Sequence, residues 1–390
     1  MKSLQDCRAA IDRIDAGILE LLSERLAVAR DIADYKLACN QPILDRVREQ
    51  DKLKAVMEQA AAGGLPPLLV ADLFTVLMAR TVSYEQGYLM EQLAASGPER
   101  DSSIAYLGPT GTYSHLAAHR FLDGFRGQLT ACECSSFEEI VACVESLRAE
   151  YGILPIENSS SGNINEVLDL LQLTRCSIVG ELFYPIDHSI LALQDQPLTE
   201  LTELYSHTQP VTQCSRWLHE HLPQVRITFT SSSSAAMQQV VERGDPHVAA
   251  IGSAGAIRYY PLHSLISGIS NNPDNYTRFI AIAMTPVMVP SCCRAKTSLS
   301  FSVPKYRPGS LIDVLSAFSA YRINLTKLIS RPSGSDHKDT WEEMFFADVE
   351  ANLSDLPMQD ILNRIRPLTS SLKILGCYCS GEDGRGGAAA

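Results

Sequence analysis

One interruption in periodicity divides this chain. Up to about residue 92 apolar residues recur at helical spacing and proline occurs only at Pro42, Pro66 and Pro67, which predicts three helices. From Leu93 to Ser103 the run LAASGPERDSS loses that period and carries glycine, proline and charge, as a linker does. Beyond it, strand-like runs such as SIAYL, YGILP, CSIVGELFY and HVAAIGS alternate with helical patterns such as FEEIVACVESLR, which predicts parallel strands with crossover helices over residues 104–285. From Lys296 the order becomes strand, helix, strand, strand, helix, strand, a βαββαβ unit of ferredoxin-like type over residues 296–380. Residues 381–390, GEDGRGGAAA, offer no apolar anchor and are expected to be disordered.

A chain of 390 residues exceeds one ordinary core, in keeping with several domains. Its 33 Lys+Arg against 45 Asp+Glu give a net charge of −12, which argues against a nucleic-acid or anionic-membrane surface. Any anionic ligand must then be held by a few placed basic groups. The eleven cysteines lack CxxC spacing, so reduced, buried thiols are expected and no metal site is. The amino terminus has no apolar core of a leader and no run of about 18 wholly apolar residues occurs, which predicts a cytoplasmic protein.

Read in heptads, the first helix places Leu4, Ile11, Ile18, Arg25 and Ile32 at one seam position and Cys7, Ile14, Leu21, Val28 and Tyr35 at the other. Only Arg25 is out of place in such a core; it either snorkels to water or meets an anion. Arg8 and Lys36, four heptads apart, flank the same seam. Asp45, Arg48 and Glu49 share a face at the start of the second helix, and Thr81 and Glu85 share one near the end of the third.

In this order Arg8, Arg25, Lys36, Asp45, Arg48, Glu49, Thr81 and Glu85 resemble the all-helical chorismate mutase domain of bacterial bifunctional chorismate mutase/prephenate dehydratases. The resemblance implies rearrangement of chorismate to prephenate with no covalent intermediate. Such a reaction needs both carboxylates clamped and the ether oxygen stabilised as its C–O bond breaks. It assigns the clamps to Arg8 and Arg25, the ether oxygen to Lys36 and Glu85, the substrate hydroxyl to Asp45 and Glu49, and support to Arg48. Arg8 and Arg25 lie 17 residues apart, about 25 Å along one helix, so one of them must come from a second subunit. A homodimer or higher oligomer is expected. Glu85 stands where the family has glutamine and Thr81 where it has serine; a glutamate donates a hydrogen bond only when protonated, so acid should favour this mutase.

The middle segment carries Gly108-Pro-Thr-Gly-Thr-Tyr-Ser-His115, a glycine turn into a helix without the endings of a nucleotide loop. It also carries the polar loop Asn158, Ser159, Ser160, Ser161, Gly162 after a strand, then Ser206 to Gln213, Thr230 to Ser234, and Asn275 to Phe279. Each alone could be a cap or a turn. Together GPTGTYSH, PIENSSSG, SHTQPVTQC, TSSSSAAM and NYTRF resemble prephenate dehydratase. That family's fold is two α/β lobes like those of periplasmic binding proteins, and its reaction expels CO2 and the ring hydroxyl of prephenate to give phenylpyruvate without a cofactor. The resemblance makes Thr277 the group that hydrogen-bonds the departing hydroxyl. Asn158, Ser159 to Gly162, Ser206, Gln213 and Arg278 are expected to bind prephenate, the loop amides and Arg278 by holding carboxylates. Glu157 and His115 are further candidates for proton transfer.

In the last segment Gly309, Ser310, Leu311 and Ile312, and then Ser330, Arg331 and Pro332, occupy the places of the GALV and ESRP motifs of the ACT regulatory domain of dehydratases, read here as GSLI and ISRP. The resemblance implies that these residues bind phenylalanine as a feedback inhibitor, with Ile329 in place of the motif's glutamate. Deleting the chain after about Pro290 is expected to spare dehydration. The rival readings are a non-catalytic amino-acid sensor of the same architecture and an enzyme with one activity alone.

Overall fold

The computed structural model describes residues 3–39, 41, 46–96, 101–123, 128–304, 307–332 and 343–381. It divides into two compact units, the helices before residue 97 with Val289–Ala295, and the chain from the first strand onward without that segment.

The helical unit contains α1 (Leu4–Ala38), α2 (Arg46–Ala62) and α3 (Pro67–Ser96). Ser3 opens α1 with a capping box: its side chain accepts from Asp6 N and the Asp6 carboxylate accepts from Ser3 N. α2 stops at Gly63 and Gly64, the latter at φ +73°, and Pro67 starts α3 where a missing N–H does no harm. α3 packs against both other helices. The heptad seam is not the buried face of this chain. Leu4, Ile11, Ile14, Ile18, Leu21 and Val28 are 49–68% exposed, while the buried residues of α1 are Ala29 and Ala33. The face toward α3 carries Arg25, Ala29, Ala33 and Lys36, while the aliphatic residues of the seam stay largely exposed. α3 also runs to Ser96, so the linker expected over 93–103 is in part helix, and in part strand from Ser102. Asp45 and the tail beyond Gly381 lie outside the described residues. By length and composition Pro67–Leu89 could cross a membrane, with a hydropathy of 1.3, yet it carries Thr81 and Glu85, both buried.

The second unit begins with β1 (Ser102–Leu107), α4 (Tyr113–Leu122), β2 (Leu129–Cys134), α5 (Phe137–Glu145), β3 (Tyr151–Asn158), β4 (Gly162–Asn163), α6 (Asn165–Leu173) and β5 (Ser177–Pro185). The chain then crosses to a second lobe built from β6 (Ser189–Ala192), β7 (Glu203–Ser206), α7 (Thr208–Gln213), α8 (Ser215–His221), β8 (Arg226–Phe229), α9 (Ser233–Arg243), β9 (Val248–Gly252) and β10 (His263–Ser267). It returns as β11 (Tyr276–Ala283). The first sheet has the order β2-β1-β3-β11-β5 and the second β10-β6-β9-β7-β8. Both are mixed rather than parallel. β11 enters from the other lobe and runs antiparallel to β3 and β5, and β6 is antiparallel to β9 and β10.

The third segment follows the expected order: β12 (Ala295–Ser302), α10 (Ser310–Ala320), β13 (Leu325–Pro332), β14 (Glu343–Val349), α11 (Leu356–Ile365) and β15 (Ser371–Cys379), in a sheet ordered β13-β14-β12-β15. Leu299, Phe301, Phe318, Met358 and Ile361 form a core of its own. It is not a detachable appendage. Phe346, Leu375 and Tyr378 belong to the same apolar cluster as Leu154, Ile156, Ile178 and Ile280 of the first lobe. β15 lies so close to β5 that a Cβ on Gly376 would sit 2.1 Å from the Ile178 carbonyl oxygen. Removing the segment would therefore uncover part of the lobe's core, contrary to the clean separation expected after Pro290.

Candidate functional site

In the helical unit two cross-helix contacts gather four of the predicted residues. Arg25 Nε donates to Thr81 Oγ1 at 3.1 Å, and Lys36 Nζ lies 2.8 Å from Glu85 Oε2. Thr81 and Glu85 stand one turn apart on α3, and Arg25 and Lys36 three turns apart on α1, so matching faces align them. The Thr81 hydroxyl donates to Leu77 O at 2.7 Å, which fixes its oxygen as the acceptor for Arg25. With Nε occupied, the two terminal nitrogens of Arg25 remain in the fork that matches a carboxylate. Arg8 is exposed, and no described hydrogen bond or ion pair joins it to this group. Arg48 is exposed and Glu49 half-buried on the first turn of α2. Cys7 and Cys39 are exposed, unlike the buried thiols expected; all eleven cysteines are free.

In the first lobe the decisive feature is a register shift. Along β11, Thr277 pairs with Asn158 and Arg278 with Glu157, but Phe279 pairs with Pro155, so Ile156 is an extra residue in β3. Such a bulge reverses the in-and-out alternation beyond it. Asn158 therefore reaches Thr277, its Nδ2 donating to Thr277 Oγ1 at 3.0 Å and to Asn275 Oδ1 at 2.9 Å. Asn158 Oδ1 accepts from Ser160 N and Ser161 N, both at 2.9 Å. Asn275 Oδ1 also accepts from Ser159 Oγ at 3.3 Å and Ser160 Oγ at 3.2 Å. The structure thus brings together Asn158, Ser159, Ser160, Ser161 and Thr277 around Asn275, a hub that the sequence offered within NYTRF but without a role.

Several expected roles change. The amides of Ser159, Ser160 and Ser161 donate to Tyr276 O and Asn158 Oδ1 within the fold, so they are not a vacant carboxylate cradle. Arg278, next to Thr277, must point to the opposite face of the strand. There it is 4% exposed, and Nε donates to Glu181 Oε2 at 2.7 Å, Nη1 to Asp348 Oδ2 at 2.6 Å and Nη2 to Tyr378 OH at 3.0 Å. Burial alone would pull this guanidinium down, but Asp348, Tyr378 and Glu181 hold it well above its ordinary range. In this structure it is a strut between lobe and third segment, with Nε, Nη1 and Nη2 all donating within the fold. Lys296 Nζ, 2.8 Å from Glu181 Oε1, completes that buried network. Charged residues inside otherwise apolar strands, Glu181 in SIVGELFYP and Asp348 in EMFFADV, were the signal that could have exposed it.

Ser206 is fully buried and donates to His207 O at 3.0 Å. Gln213 Oε1 lies 2.7 Å from His188 Nε2, whose Nδ1 is 3.1 Å from Tyr113 OH, a chain across the lobe crossing. No described hydrogen bond carries either residue to Thr277. His115 is buried, accepts from Gly111 N through Nδ1 at 3.2 Å, and is depressed to about 4 by burial and then by His119. It stays neutral at ordinary pH as part of an aromatic cluster with Tyr106 and Tyr259. Glu157 Oε2 takes Lys327 Nζ at 2.5 Å, on the face of Arg278.

Of the effector candidates, Gly309 begins α10 at φ +80°, where a side chain would be strained, and the space around it is open. Ser310 is buried, Leu311 half-buried and Ile312 68% exposed. On β13, Ser330 and Pro332 are exposed, whereas Arg331 is committed to the Asp169 carboxylate at 2.9 and 2.6 Å. Ile329 packs against the first lobe's apolar cluster, which accounts for an apolar residue where the motif has glutamate.

Comparison with known proteins covers both units. The chorismate mutase type II family model matches residues 7–86 and the prephenate dehydratase model residues 104–286. A bifunctional chorismate mutase/prephenate dehydratase of Enterobacter agglomerans is 38% identical over 96% of this chain and 95% of its own length. Among solved structures, a protein described as GqqA, a novel type of quorum-quenching acylase, aligns with TM-score 0.63 and 26% identity over 72% of this chain and 98% of its own. A prephenate dehydratase from Arthrobacter aurescens in complex with L-Phe aligns with TM-score 0.63 and 25% identity over 72% of this chain and 91% of its own. Identity sustained through both units, over nearly the whole length of a two-activity relative, makes this chain a member of the bifunctional chorismate mutase/prephenate dehydratase family.

Proposed function

We propose a division of labour between two separate sites in a chain that rearranges chorismate to prephenate and converts prephenate to phenylpyruvate. In the mutase site Arg25, oriented by Thr81, clamps one carboxylate with its terminal nitrogens, and Arg8 of a second copy clamps the other. Lys36 and Glu85 address the ether oxygen, Asp45 and Glu49 hold the substrate hydroxyl, and Arg48 supports the site. The exposed apolar seam of α1 supports a second copy, since water would otherwise cover six large aliphatic side chains along one helix.

In the dehydratase site Thr277 donates to the departing ring hydroxyl while carbon dioxide leaves and the ring becomes aromatic; the hydroxyl departs as water once protonated. The observation that carries this role is the Asn158 amide donating into Thr277 Oγ1 at 3.0 Å, because an oxygen that already accepts has its own O–H free to give and polarised to give it. Ser159 and Ser160 hydroxyls, on the same hub, are placed to bind the substrate's polar groups, with Ser206 and Gln213 bracing the other lobe.

The βαββαβ segment acts as an ACT-type sensor for phenylalanine, reading it at Gly309 to Ile312 and at Ser330 and Pro332. Its topology and the L-Phe complex of the Arthrobacter relative support this. The working enzyme is a cytoplasmic homodimer or larger assembly. Incubation with chorismate, following prephenate and phenylpyruvate separately with and without phenylalanine, tests the whole reading: both products should form, and phenylalanine should suppress the second. Accumulation of prephenate with no phenylpyruvate would defeat the dehydratase assignment.

A further inference from the structure

The bulge at Ile156 does more than aim Asn158. It puts Glu157 on the face of Arg278, so that the two strands carrying the Asn158–Thr277 pair each present, one residue away, a charged group to the third segment. Glu157 meets Lys327 of β13, and Arg278 meets Asp348 of β14. These two contacts differ in kind. Arg278 is enclosed by Glu181, Asp348 and Tyr378, and breaking it would strand a buried charge. The Glu157 side chain is 37% exposed and borders a cavity of about 400 Å³ lined also by Ser159, Phe183, Asp274 and Tyr276, so its carboxylate has room to leave Lys327. Lys327 in turn sits on a strand with two faces. Lys327, Ile329 and Arg331 engage the lobe, while Leu328 and Ser330 between them are exposed.

We propose that Lys327 is a positioning residue of the dehydratase: through the releasable Lys327–Glu157 ion pair it holds the end of β3 so that Asn158 donates to Thr277, and the ligand state of β13's outer face is transmitted to Thr277 along this path. The buried Arg278–Asp348 contact is the fixed pivot. A movement of β13 then changes turnover more than substrate capture, because Asn158 and Thr277 act on the departing hydroxyl. The regulatory half of this inference rests on phenylalanine binding to the third segment; the positioning half does not.

The experiment uses the full-length protein with Lys327→Gln, Glu157→Gln and the reversed pair Glu157→Lys with Lys327→Glu, and a wild-type thermal transition of the second unit reports that the mutated unit is folded. Each single variant should lower dehydratase kcat several-fold with KM for prephenate little changed, and should weaken phenylalanine inhibition by about tenfold, within the usual range of allosteric coupling. The reversed pair should recover much of both, while calorimetry shows phenylalanine still binding each variant. Wild-type kcat and wild-type inhibition in both single variants would overturn the proposal, as would losses that the reversed pair leaves uncorrected. A wild-type protein that neither binds nor responds to phenylalanine would defeat the sensor reading instead, and the kcat measurements would still decide the positioning role.

Discussion

In the dehydratase half, Thr277 is 8% exposed and tied through Asn158 and Asn275 to two loops of its own chain. In the mutase half, α1 buries two alanines and leaves its aliphatic seam in water, with Arg8 far along the helix from Arg25. The first candidate site is enclosed by its own chain's packing; the second, in the reading proposed above, is completed by another copy. The contrast teaches that the two candidate sites depend on different things: one on a strand folded back between two others, the other on a long helix that leaves its aliphatic face exposed.

The comparison breaks first at Thr277. Thr277→Ala should reduce phenylpyruvate formation by at least about a hundredfold, the scale for losing a donor aimed at developing charge, while prephenate still forms from chorismate at nearly the wild-type rate. Parallel loss of both activities would show that the sites are not independent.

Next comes the second copy. Arg8→Ala and Arg25→Ala alone should each be nearly inactive as mutases; mixed after subunit exchange, random pairing leaves about a quarter of the wild-type activity, because half the dimers are mixed and each mixed dimer keeps one intact site. Confirmed exchange without recovery would mean each chain holds its own complete site.

The packing of β15 on β5 sharpens the contrast in stability. Gly376→Ala places a methyl against the Ile178 backbone and should destabilise the second unit by about 3 kcal/mol, read as a lower denaturation midpoint for dehydratase activity while mutase activity persists.

The smallest effect is a pH dependence. His115 is held near 4 in the folded state against an ordinary value of 6.5, so between these the unfolded chain binds the extra proton. Stability of the second unit should therefore rise from pH 4 to 6.5 and gain nothing further from this group above it. His115→Asn, which keeps an acceptor for Gly111 N, should flatten that part of a plot of Tm against pH. An unchanged slope would assign the acid sensitivity to other groups.

Much of this was legible in the residues. Helical spacing put Thr81 and Glu85 on one face, the family resemblance grouped them with Arg25 and Lys36, and a change of period marked each segment. What could not be read was any feature set by strand register. A period of two carried on from Ile153 puts Asn158 on the wrong face, because nothing in YGILPIEN announces that Ile156 is surplus. For the same reason Arg278 looked like a companion of Thr277, when adjacency along a strand guarantees the opposite. The α1 seam was read as apolar and as a possible core; its aliphatic residues are largely exposed in their own chain, since a heptad pattern does not say whose helix will cover it.

The surplus residue in β3 has one more consequence. Were β3 to run evenly past Pro155 with Ile156 in the ladder, Ile156 would stand opposite Arg278 and Glu157 opposite Thr277: the carboxylate would enter the cleft and the amide would face the third segment. Every residue needed for dehydration would still be encoded, in order, yet the chemistry would be wired to the wrong side of the sheet. Residue order and register are therefore separate properties of this strand: loss of Ile156 would keep Glu157 opposite Arg278 and Asn158 opposite Thr277, whereas pairing it would part them.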